Sequence, residues 1–177
     1  MKNLMLVCLD LRAPKKQQMG FTIVELLIVI VVIGILAAIT LTSFSTVQDQ
    51  AKASRAKDDL TLLTKAIKAG RINQSKTLNQ ITGSSWTGGS CFGRNTNLAA
   101  LPKSDACWVD YQSALTAIAG AASTQLEGLM NGDPYGAPYY IDENELPGYC
   151  VADTVGDPFS PKSSGYDYYS VPYYNCS

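Results

Sequence analysis

Apolar residues fill one stretch of this chain without a break and are spaced everywhere else. From Leu26 to Ile39 no residue is charged or strongly polar. A helix over Phe21–Leu41 rises roughly 30 Å, about the depth of a bilayer's hydrocarbon core. The pattern predicts a membrane helix over residues 21–48. One carboxylate, Glu25, stands near its start, and a charge at bilayer depth costs on the order of 2.5–3.5 kcal/mol unless paired. Upstream, Lys15 and Lys16 sit just before the apolar run and hold that end on the cytoplasmic side. Residues 1–20 read as a leader. An ordinary secretory signal fits less well, because Leu36 occupies a place where a cleavage site needs a small residue.

Beyond the apolar stretch the period changes. Ala53, Ala56, Leu60, Leu63, Ile67 and Gly70 recur every three or four residues, while Lys52, Arg55, Lys57, Asp58, Asp59, Lys65 and Lys68 fill the other positions. This is one face of a helix, an amphipathic continuation over residues 49–72 that stops near Gly70–Asn73. Residues 73–109 are rich in Gly and Ser and read as loop, with Trp86 and Trp108 as packing residues. Residues 110–130 regain helical spacing through Leu115, Ile118, Ala119, Ala122, Leu126 and Leu129. Asp110 stands as the N-cap and Asn131-Gly132 as the end. The small run Ala119-Gly120-Ala121-Ala122 lets another backbone approach, so this helix is expected against the first. Asp133-Pro134-Tyr135-Gly136 has the order of a type I turn. Short strands follow at Tyr139–Ile141, Tyr149–Val151 and Gly165–Val171, the last limited by Pro172. The expected fold is α+β: one long N-terminal helix, membrane-buried and then amphipathic, packed against a disulfide-stapled head over 73–177 with a second helix and a small antiparallel sheet.

Charge and composition narrow the chemistry. Formal net charge is −1, but the leader and the amphipathic segment are basic and the head is acidic. An acidic head argues against general nucleic-acid binding. Histidine is absent, which removes His-dependent triads, general bases and metal sites. No phosphate loop or dinucleotide fingerprint is present, so an enzyme is not expected. Of five cysteines, Cys8 lies in the leader, while Cys91, Cys107, Cys150 and Cys176 lie in the head. Four cysteines allow three connectivities. Loop-closure entropy favours the shorter loops, Cys91–Cys107 and Cys150–Cys176. The acidic turn Asp142, Glu143, Glu145, with Asp153 and Asp157 beyond, reads as a solvated turn or as a weak calcium site of hard oxygen ligands. No other cofactor is expected.

Gly20-Phe21-Thr22-Ile23-Val24-Glu25-Leu26-Leu27 resembles the processing signal of type IV pilins and type II secretion pseudopilins. The resemblance implies that a prepilin peptidase cuts after Gly20 and methylates the new amine of Phe21. Cys8 then leaves with the leader. Glu25 lies one helical turn from that amine, which stands at the positive end of the helix dipole. In the family this glutamate pairs with the amine of an adjacent subunit and helps set filament register. Gly34 matches a glycine that, with a proline eight residues on, brackets a segment able to melt. Here Thr42 takes the proline's place and weakens a helix less. Asp133-Pro134-Tyr135-Gly136-Ala137-Pro138-Tyr139 resembles a stretch in the heads of major pseudopilins, which bind calcium in this general region. In many pilins a disulfide staples the C-terminal loop, the place of Cys150 and Cys176.

The resemblance implies a structural subunit of a type IV pilus serving adhesion, motility or DNA uptake. Its partners would be copies of itself, minor pilins, the prepilin peptidase and an inner-membrane assembly platform. It would pass from a single-span cytoplasmic-membrane form to a surface filament. A pseudopilin or minor pilin of a type II secretion-like system is the alternative within the class. A single-pass anchored binding protein that never polymerises is the alternative outside it.

Overall fold

The computed structural model describes residues 20–94, 97–145, 151–160 and 166–172, without the side chains of 39–43. The chain divides into two compact units, 1–45 and 46–177. Helix α1 runs from Ile23 to Gln74 and contributes to both. It continues through Gly34 and Thr42, consistent with a threonine where a proline would remove a backbone hydrogen bond.

In the second unit, the face of α1 carrying Ala56, Leu60, Leu63, Ile67 and Gly70 is buried. Its charged neighbours are exposed, apart from Asp59, which accepts a hydrogen bond from the Tyr139 hydroxyl at 2.8 Å. Helix α2, Leu78–Thr82, interrupts the region expected to be loop. The cause is a capping box, Thr77 and Gln80 satisfying each other's backbone N–H groups, ended by Gly83 in the left-handed region. Short 3₁₀ turns follow at Thr87–Ser90 and Leu98–Ala100. A disulfide joins Cys91 to Cys107, with Cα atoms 4.7 Å apart.

Helix α3 spans Ala106–Ala122, which corrects both expected ends. Asp105, not Asp110, is the N-cap: its Oδ1 accepts from the Cys107 N–H at 2.9 Å while Arg94 holds the same carboxylate. The helix stops at Ser123 in the left-handed conformation rather than at Asn131-Gly132. Leu126 and Leu129 still enter the core, from the segment that follows. Their apolar spacing reports burial, not helix. A Cβ placed on Gly70 would lie 3.1 Å from the Ala121 Cβ, so α1 and α3 meet through small residues.

The sheet is three antiparallel strands in the order β1 (Tyr140–Asp142), β2 (Asp153–Gly156), β3 (Tyr168–Val171). Ile141 faces Val155, and Asp153 faces Val171. The expected strand at Tyr149–Val151 falls mostly outside the described residues; Val151 is not in a strand, and the middle strand begins at Asp153. Asp133–Gly136 turns as expected, the Gly136 N–H donating to the Asp133 carbonyl at 2.9 Å. One core holds these parts together: Leu60, Leu63 and Ile67 of α1, Trp108, Tyr111, Leu115 and Ile118 of α3, and Tyr139, Ile141, Val155 and Val171 of the sheet face. Trp108 is fully buried, donating from Nε1 to the Leu98 carbonyl at 3.2 Å. Trp86 is 44% exposed against Phe92.

Candidate functional site

The segment around Gly20 is built by one local device. Thr22 and Glu25 form a reciprocal cap: the Thr22 backbone N–H and hydroxyl each donate to Glu25 Oε2 at 2.9 Å, and the Glu25 N–H donates to Thr22 Oγ1 at 3.2 Å. The box satisfies amides that no preceding turn can reach, and it starts the helix at Ile23. Gly20, Phe21 and Thr22 therefore stay outside the helix. Phe21 is 87% exposed. A Cβ built on Gly20 meets nothing within 4 Å. Gly20 and Phe21, on either side of this peptide bond, are thus exposed and outside the helix.

After the cap, Val24, Leu26, Leu27, Ile28, Val29, Ile30, Val31, Val32, Ile33, Ile35 and Leu36 are all exposed. Successive positions cover every side of a helix. A helix apolar all round and bare within its own unit is a surface to be covered by lipid or protein. Among the described residues no helix is long and apolar enough to cross a membrane. The run with described side chains, Ile23–Ala38, is shorter than the ~20 residues a span takes. Gly34 lies on this surface, with nothing within 4 Å of a built Cβ.

The acidic turn corrects the expectation of a solvated loop. Glu143, Glu145, Asp153 and Asp157 are buried. Glu143 and Asp157 have separate partners, while Glu145 and Asp153 share one. Tyr140 donates its hydroxyl to Asp142 at 2.9 Å. Glu143 accepts the Thr87 backbone N–H at 2.8 Å and also the Thr87 hydroxyl. Glu145 and Asp153 face Arg71, and Asp157 accepts the Asp167 N–H at 2.6 Å. Burial raises the Glu143 carboxyl above its ordinary value, partly offset by Thr87. Burial likewise raises Asp133, which is held by Ser160 and the Tyr135 and Ala137 amides. Among the described residues, no group of three or more His, Cys, Asp or Glu is placed to hold a metal ion. Asp142, Glu143 and Glu145 do not converge on a common point.

Cys91 and Cys107 are brought together, whereas Cys8, Cys150 and Cys176 lie outside the described residues. The reading of the residues missed the Thr22–Glu25 cap, although Thr-x-x-Glu before an apolar run is its sequence signature. It also missed Arg71 as the partner of the acidic turn, for which no local signal exists.

Comparison with known proteins bears on the N-terminal part of the chain. Residues 15–41 match the family model described as the prokaryotic N-terminal methylation motif. The chain is similar to the type II secretion system core protein G of Pseudomonas aeruginosa, 40% identical over 53 residues, which is 30% of this chain and 37% of that protein. The chain thus matches little more than a third of that relative's length. No solved structure matches it.

Proposed function

We propose, proceeding from an N-terminal segment that matches the prokaryotic N-terminal methylation motif and is similar to a type II secretion core protein, that this protein is a structural subunit of a pseudopilin-type filament. The observation carrying the reading is the sequence of features at one helix end. An exposed Gly20–Phe21 pair, the Thr22–Glu25 cap and a bare apolar helix follow one another inside the matched segment. In this reading the peptidase cuts after Gly20 and methylates Phe21. The apolar helix rests in the membrane and then packs against copies of itself, where apolar burial supplies cohesion. A single contact repeated head to tail gives an open helical polymer rather than a closed ring. Glu25 meets the Phe21 amine of a neighbour and fixes register. The subunit is structural and performs no chemistry of its own. Minor subunits, the peptidase and an inner-membrane platform are the partners this reading requires.

The similarity to a type II secretion core protein favours the pseudopilin branch over a type IV pilus subunit. Intact-mass and N-terminal analysis of the full chain, made in a host carrying a prepilin peptidase, tests the reading. A mature chain beginning at methylated Phe21 is expected. An intact Met1, or a start near Ile39, overturns it in favour of an anchored protein or a cleaved signal. Electron microscopy of the same cells then separates the branches, since long sheared surface fibres would assign the chain to a type IV pilus. Glu25→Ala should leave processing near normal and cut filament yield by at least tenfold.

A further inference from the structure

Among the described residues the second unit buries five carboxylates, Asp133, Glu143, Glu145, Asp153 and Asp157, and one base, Arg71. Three of the acids are served by neutral donors: Glu143 by Thr87, Asp157 by the Asp167 N–H, and Asp133 by Ser160 and two backbone amides. The other two converge on the guanidinium. Arg71 Nη2 lies 3.5 Å from Glu145 Oε2 and against Asp153 Oδ2, and Nη1 donates to the Pro172 carbonyl at 2.6 Å. We propose that Arg71 is a resident cation, filling a position built from the carboxylates of Glu145 and Asp153 and the carbonyl of Pro172, and that truncating it opens that position to a hard divalent cation such as calcium.

Three observations carry this. First, part of the arrangement is held without the arginine. Asp153 Oδ1 accepts the Glu145 N–H at 2.8 Å, so one carboxylate fixes the backbone of the other while its second oxygen turns to the cation. Second, the guanidinium uses only part of its donor set. Nε is buried and has no hydrogen-bond partner among the described residues. Two carboxylates and a carbonyl around one guanidinium are the kind of oxygen donors that a hard cation takes, and the charge, rather than the five-donor fork of arginine, is what they need. Third, the cluster joins four elements: the last turn of α1, the segment after β1, the first residue of β2 and the residue after β3. Without a cation two like charges face each other in a buried place, which is strongly destabilising. The wild-type unit therefore carries its own cation and needs none from the medium. This inference stands apart from the filament reading, since it concerns the folding of the second unit alone.

The test is thermal melting of the full chain in detergent micelles, followed by tryptophan fluorescence, in calcium chloride and in chelator. Wild type is expected to melt at the same temperature in both. Arg71→Ala is expected to melt lower by on the order of 10 °C in chelator and to regain several degrees in millimolar calcium. The combined variant Arg71→Met, Glu145→Gln, Asp153→Asn is expected to fold and to ignore calcium. A wild-type protein stabilised by calcium as much as the variant is, or an Arg71→Ala protein unmoved by it, overturns the proposal. Where Arg71→Ala does not fold in either buffer, the combined variant decides: a folded, calcium-indifferent protein supports the resident cation, and an unfolded one overturns it.

Discussion

Glu25 has one partner among the described residues, Thr22, and a second in the proposed filament. In the uncut chain Glu25 closes a cap with Thr22. In the proposed filament it meets an amine that exists only after cleavage. The cap is local, so its contribution is testable by itself. Thr22→Val removes the hydroxyl and should cost the first turn about 1 kcal/mol, so that its amides exchange about fivefold faster. Hydrogen exchange of the full chain in micelles reads this, and Thr22→Ser should restore protection. If Thr22→Val exchanges like wild type, the cap contributes nothing to helix initiation. The cap has a local sequence signature, Thr-x-x-Glu, because its partners are three residues apart, yet it went unread. The Thr87–Glu143 pair and the Arg71 cluster have no such signature, because loop closure brings together residues that no periodicity relates.

At the scale of elements, spacing identified the buried face of α1 but misjudged where α3 begins and ends. Helix ends depend on which polar side chain reaches the first free amides, and Asp105 does so with Arg94 beside it. Apolar residues beyond Ala122 keep helical spacing only because the core lies on that side. The small run in α3 was legible as a point of close approach, yet only packing decides which residue is in contact. Gly70 faces Ala121, whereas a Cβ on Gly120 meets nothing within 4 Å. Gly70→Val should therefore overpack this contact and lower stability by about 1–3 kcal/mol. Gly120→Ala should be neutral or stabilising by up to ~1 kcal/mol through helix propensity. Urea denaturation of both variants gives the comparison, and equal midpoints would remove Gly70 from the α1–α3 contact.

At the scale of the molecule, the disulfide and the buried ion cluster hold segments that lack regular structure of their own. Cys91 and Cys107 are 16 residues apart, and closing a loop of that size lowers the entropy of the unfolded chain by roughly 3 kcal/mol at 25 °C. Replacing both cysteines by serine should lower urea stability by about that amount, and a variant as stable as wild type would show the loop to be pinned by its other contacts. The sequence by itself determined the α+β class, the long helix, its amphipathic face and the processing-type motif. Each of these follows from residues close together, where period, capping and turn chemistry act over a few positions. Tertiary structure decided that the acidic turn is buried and which groups hold its carboxylates. It also decided that β2 begins at Asp153 and that Arg71, one residue past an apolar stripe, turns inward. These outcomes depend on desolvation, since a charge is buried only where a distant partner compensates it, and that partner is set by the path of the whole chain.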